Sequence, residues 1–156
     1  MKPHDLARLF DLNHHALHRN LDGVTDEEAL LQPVSGNCLN WVVGHIVASR
    51  NGVLKVLGAE PYWPADPAAR YARGSAPVTG SDGSAVPFRE IVQAFDASQE
   101  RIATALAEAS EADLAKPHAQ DQSVGEWLSF LHFHEAYHIG QTGLLRRLVG
   151  KEGAIK

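Results

Sequence analysis

Residues 123–149 read SVGEWLSFLHFHEAYHIGQTGLLRRLV, and this stretch decides the fold. Val124, Leu128, Leu131, Leu145 and Val149 recur at helical spacing on one side, so the reading is a single long helix with a core-facing stripe. Arg146, Arg147 and Lys151 close it, where cations favour the negative end of the helix dipole. Measured from His138, the residues Leu131, Trp127, Leu145, Thr142 and His134 all fall within about 40° around the axis. Two histidines therefore lie on the face expected to point inward.

Working outward, three more segments carry helical periodicity. Leu6, Phe10, Leu17 and Leu21 share a face in the first, which ends near Asp22-Gly23. Thr25-x-x-Glu28 is a capping-box pattern for a short turn that stops at Pro33. The second long helix is expected from about Asn37 to Gly58. The third starts near Pro87 and buries Phe88, Ile91, Phe95, Ile102 and Leu106. Ser110-x-x-Asp113 opens another short turn, ending at Pro117. The order of acidic turn, Leu, Pro and Trp-bearing helix start occurs twice, over residues 25–41 and 110–127, a faint sign of a duplicated helix pair. No hairpin signal lies between alternating apolar runs, so the expected fold is all-α: a four-helix bundle with a long crossover loop between helices 2 and 3.

That crossover, residues 59–86, holds Pro61, Pro64, Pro67, Pro77, Gly74, Gly80 and Gly83, which forbid one continuous helix. Loops of this length in compact domains are lids or disordered segments. Tyr62, Trp63 and Tyr71 give its first half something to bury, so an ordered flap is expected there, with a mobile tip around Gly80 to Ser84.

Composition narrows the classes. A chain of 156 residues suits one domain, 1–156, with enough core to fold without a disulfide or a metal. The net charge of −5 argues against nucleic acid, which recruits a basic face. One cysteine, Cys38, excludes an intrachain disulfide and suits the reducing cytoplasm, where the protein is expected. No apolar run reaches the length of a membrane span, and the N-terminus lacks the apolar stretch of a signal peptide. Nine histidines are the unusual feature.

His134 and His138 are spaced i, i+4, about 40° apart around a helix and about 6 Å along it, a geometry suited to two ligands on one ion. In the second long helix His45 sits among Cys38, Trp41, Ala48, Ser49, Gly52 and Val56, a stripe of apolar or small residues. Inward imidazoles need partners. Either each hydrogen-bonds a carbonyl or hydroxyl neighbour, or the three together hold a divalent ion with positions open to water or substrate. His132, about 120° from His138, should face outward.

Asn40-Trp41-Val42-Val43-Gly44-His45-Ile46 and His134-Glu135-Ala136-Tyr137-His138-Ile139-Gly140-Gln141 resemble the DinB/YfiT-like metalloenzyme family in both motif and element order. The resemblance implies His45, His134 and His138 as metal ligands, nickel or zinc as the ion, and a dimer. It also implies thiol S-transferase or related chemistry, since thiol transferases and a thiol-dependent isomerase are members. The expected function is thus a metal-dependent enzyme, hydrolytic or thiol-transferring, acting on a small molecule with a low-molecular-weight thiol as possible co-substrate. The alternative is a non-catalytic metal-binding bundle with a binding or stress-response role.

Further candidates follow from position. Glu135, about 60° from His138, is read as a general base or a partner of a ligand, against a plainer role as a solvated or interhelical carboxylate. Tyr62, Trp63, Arg70 and Arg73 in the flap, with Trp41 walling the cavity, are the substrate-contact candidates. Trp127 and Phe130 are expected in the core, and Cys38 as a small buried filler. His14 stands at the edge of the first helix's core face and reads as a surface or interface histidine. Leu9 and Leu12, off the core stripe, suggest the homodimer contact.

Overall fold

The computed structural model describes residues 2–80, 83–119 and 121–155. Among them the chain is all-α: α1 (Pro3–Leu21), α2 (Asp26–Ala29), α3 (Leu39–Val56), α4 (Ala65–Arg70), α5 (Phe88–Glu108), α6 (Glu111–Leu114) and α7 (Val124–Leu148). None of these helices is long and apolar enough to cross a membrane. The order long helix, one-turn helix, long helix occurs twice, as α1–α2–α3 and α5–α6–α7, matching the duplicated order in the sequence.

Local chemistry sets the boundaries. Thr25, Ser110 and Ser123 each accept the N–H of the third helical residue while Glu28, Asp113 and Glu126 reach back to the cap's own N–H. Pro87 caps α5, where a missing donor costs nothing. Cys38 keeps an extended backbone (φ −72°, ψ 170°) as the cap of α3, so that helix begins two residues later than the Asn37 start the sequence suggested. At the other end Gly58 adopts φ +73°, a conformation that stops the helix where a side chain would be strained.

The four long helices share two contact partners each. Both α1 and α3 pack chiefly on α5 and α7, so α7 is flanked by α1 on one side and α3 on the other. One buried cluster joins Leu6, Phe10, Val53, Leu54, Ile102, Leu106 and Leu128. The larger one gathers Leu17, Trp41, Val42, Ile46, Phe95 and Ile139 with Trp63 and Tyr71 from the segment after α3.

That segment departs from the expected loop by containing a helix. Pro64 caps α4 and Pro67 falls in its first turn, where the backbone N–H would have no helical partner. Arg70 then braces the chain, donating from Nη1 to the Ala76 carbonyl (2.7 Å), from Nη2 to the Pro77 carbonyl (3.0 Å) and from Nε to Ser84 Oγ (2.9 Å). The expected tip falls partly on Ser81 and Asp82, which lie outside the described residues.

Two expectations about packing need correction. Phe130 is not core but 48% exposed, and the half-buried Trp127 stacks on it at 5.3 Å. His132 is half-buried, its ring meeting Phe10 of α1 edge-on at 5.5 Å. The physical reason is common to both. With α1 and α3 on two sides of α7, its buried residues Leu128, Glu135, Ile139 and Thr142 form a stripe centred roughly 70° around the axis from His138, which brings His132 toward the core and turns Phe130 outward.

Candidate metal centre

His45 from the middle of α3 and His134 and His138 from the middle of α7 meet at the contact between those helices. His134 Nε2 lies 3.3 Å from His45 Nε2 and 3.2 Å from His138 Nε2. Ligands at 2.0–2.1 Å around a tetrahedral ion stand roughly 3.3–3.4 Å apart. Both spacings from His134 therefore match a shared ion, and the ligand nitrogens of all three rings lie within 4.8 Å of one another.

Proton placement strengthens the fit. His45 Nδ1 donates to the Tyr71 carbonyl at 2.8 Å, and His138 Nδ1 donates to Gln141 Oε1 at 2.7 Å. Each neutral ring then carries its proton on Nδ1 and turns a bare lone pair on Nε2 toward the centre. His134 can satisfy at most one of the two, which leaves a lone pair facing a lone pair. A cation resolves that arrangement.

Electrostatics keep the rings neutral. Burial lowers the pKa of His45, partly offset by its hydrogen bond to Tyr71. Burial and the neighbouring His45 lower that of His134, with Glu135 opposing and Arg73 adding to the shift. His138 falls to about 4, again first through burial. Neutral imidazole is the form that ligates.

The orienting partners come from places the sequence reading passed over. Tyr71 is fully buried, and its ring lies so close to α3 that a Cβ on Gly44 would sit 2.3 Å from it. Its hydroxyl donates to Asn40 Oδ1 (2.8 Å) and accepts from the Val86 N–H (2.9 Å), while Asn40 Nδ2 donates to the Val86 carbonyl (2.9 Å). Asn40, Gly44 and Gln141 stand in the two motif segments, so their signal was available; that Tyr71 packs against Gly44 and bonds Asn40 was not.

A family profile described as the DinB superfamily matches residues 9–142. The chain belongs to the DinB superfamily. No curated protein matches it.

In this DinB chain the remaining candidates scatter. Trp41 stacks on His45 (4.9 Å, 9° between planes) and donates from Nε1 to Ser75 Oγ at 2.9 Å. It also lines a groove of about 390 Å³ together with Val42, His138, Gln141, Leu144 and Leu148. Arg73 is exposed, and its charge reaches His134. Tyr62 and Trp63 instead line a separate cavity of about 690 Å³ with Arg89, Glu90 and Gln93, none of them a histidine. Asn51 of α3 fixes them there, accepting from both their N–H groups (3.0 and 3.1 Å). Arg70 is engaged in the bracing contacts described above.

Glu135 is buried, and both its oxygens accept from Arg50, from Nε at 2.8 Å and Nη2 at 2.9 Å. Arg50, fully buried, directs its other donors to the Phe95 carbonyl, Ser98 Oγ and Gln99 Oε1, so every guanidinium N–H has a partner. A charge among Ile46, Val47, Val53 and Leu54 was the signal in the sequence that α3 carries a buried ion pair. Cys38 is buried beside the Val78 carbonyl, with Sγ 3.5 Å from it.

Proposed function

We propose that residues 1–156 form one DinB-like domain, a four-helix bundle of α1, α3, α5 and α7 with residues 59–86 as the crossover. We propose further that His45, His134 and His138 hold a divalent ion, nickel or zinc, for a metal-dependent reaction of a small molecule. The observation that carries this reading is that His134 Nε2 stands 3.3 Å from His45 Nε2 and 3.2 Å from His138 Nε2, with the lone pairs of those two partners already aimed inward. Three protein ligands leave room for a reactant, whereas structural zinc is normally closed by four.

A divalent ion held by His45, His134 and His138 would supply the Lewis acidity that makes a water or a thiol nucleophilic. The chain's own groups do the rest. Tyr71 and Gln141 fix two imidazoles in the ligating tautomer. Trp41, Val42, Leu144 and Leu148 give the groove beside His138 an apolar wall, at a volume suited to a small ligand. Arg73 supplies a charge for a carboxylate or phosphate on the substrate. We therefore narrow the substrate contacts to Trp41 and Arg73.

Glu135, committed to Arg50, is not free to act as a general base. Activation of a water or of a low-molecular-weight thiol would then rest on the bound ion and not on Glu135. The experiment is elemental analysis of the purified protein, then a thiol-conjugation screen against electrophiles with and without chelator. Turnover that chelation abolishes supports the enzyme. A fully loaded protein inert toward every thiol and electrophile supports the non-catalytic binding role instead.

A homodimer belongs to the same reading. Phe130, Phe133, Tyr137, Leu144 and Leu148 are exposed along one side of α7, a longer apolar stripe than the exposed Leu12 with the half-buried Leu9 offers on α1. A monomer by light scattering at micromolar concentration defeats it.

A further inference from the structure

A second cluster of ligand-type atoms spans α1 and α5. His14 and His18 are one turn apart on α1, and both direct Nε2 to the same oxygen of α5, Asp96 Oδ1, at 2.8 and 2.6 Å. The three atoms all lie within 4.8 Å of one another. The rings are held in place: His14 stacks on Phe95 at 5.3 Å with 14° between planes, and it meets His18 edge-on at 4.6 Å. Phe95 is itself pinned in the core beneath the Arg50 guanidinium, 3.7 Å from its centroid.

Among the described residues no lysine or arginine pairs with Asp96; its ion-pair partners are the two imidazoles alone. Side-chain exposures of 23% for His14, 41% for His18 and 43% for Asp96 leave room for water to complete a coordination shell. We propose that His14, His18 and Asp96 form a second divalent-cation site, distinct from the trihistidine centre between α3 and α7. Two imidazole nitrogens and one carboxylate oxygen select zinc, nickel, cobalt or copper over magnesium or calcium. The present separations are those of hydrogen bonds. Tetrahedral ligands at 2.0–2.1 Å stand roughly 3.3 Å apart, so loading opens the cluster by about half an ångström, a small rotation for half-exposed rings. With three ligands at a half-open surface, this site exchanges its ion faster than the more enclosed centre.

The test is equilibrium dialysis of the full chain against zinc, followed by elemental analysis. Wild type is expected to hold one more equivalent than Asp96→Asn or His18→Ala, with unchanged helical circular dichroism in both. The double variant His134→Ala/His138→Ala separates the two sites: it should retain one equivalent, which adding Asp96→Asn removes. With cobalt as the probe, that retained equivalent should give a visible ligand-field band that is lost with Asp96→Asn. Equal zinc in wild type, Asp96→Asn and His18→Ala overturns the proposal. So does a His134→Ala/His138→Ala protein that binds no zinc or cobalt.

Discussion

The backbone carbonyl of Tyr71 accepts a hydrogen bond from His45 Nδ1 at 2.8 Å, while the Tyr71 ring lies against the bare Cα of Gly44, the residue beside His45. One residue of the segment after α3 therefore both aims the imidazole and depends on the absence of a side chain next to it.

Gly44→Ala tests that dependence. The new methyl would lie 2.3 Å from a buried ring carbon, so Tyr71 must move and its carbonyl with it. Overpacking of this kind costs about 1–3 kcal/mol. Losing the orienting hydrogen bond should weaken metal binding about 10- to 100-fold. Thermal melts and a competitive zinc titration read the two effects, and unchanged zinc affinity would show that Tyr71 does not position His45.

Tyr71→Phe should separate stability from metal binding. It leaves Asn40 Oδ1 and the Val86 N–H without their partner in a buried setting, a loss of about 1–3 kcal/mol. The carbonyl remains, so zinc content should match wild type by elemental analysis. A lower Tm together with metal loss would mean that the hydroxyl network, and not the carbonyl, sets the ligand.

Either His134→Ala or His138→Ala should abolish tight metal binding, because two ligands rarely hold a divalent ion against solvent. The helices should persist, since the core clusters do not include these rings. Stoichiometric tight metal in both variants would rule out the trihistidine assignment; collapse of the circular dichroism would instead make the residues structural.

Glu135→Ala should be strongly destabilising, by about 3–5 kcal/mol, because it strands a fully buried guanidinium. Replacing both partners with apolar residues, as in Arg50→Met/Glu135→Leu, should recover much of that loss. Urea denaturation decides it. A Glu135→Ala protein as stable as wild type would mean the pair contributes nothing to the fold and reopen the general-base role.

The metal-free protein should lose stability as pH falls from about 6.5 toward 4. His45, His134 and His138 all have folded pKa values below the unfolded value of 6.5, with His138 lowest at about 4. The unfolded chain therefore takes up protons first, and the equilibrium shifts toward it across that window. Above 6.5 both states are neutral and the effect vanishes. Melts of chelator-treated wild type and His138→Gln across this range check it: the variant should show a shallower decline, and identical slopes would sink the assignment to His138.

Sequence alone determined the four long helices and singled out the three histidines that meet between α3 and α7. Apolar residues at helical spacing, Thr25, Ser110 and Ser123 as caps, and Gly58 as a stop are local signals, because helix hydrogen bonds close within four residues. The His134/His138 pair was legible for the same reason, and His45 from its apolar surroundings in α3. Everything that joins distant segments was decided only by tertiary structure. Which carbonyl orients His45, which arginine takes Glu135, that Tyr62 and Trp63 serve a different cavity, and that Asp96 lies between His14 and His18 all depend on how α1, α3, α5 and α7 pack. Periodicity says which face of a helix is buried; it does not say against what. On α7, flanked by two helices, even that face was turned by roughly 70° from the one centred on His138, which exposes Phe130 and half-buries His132.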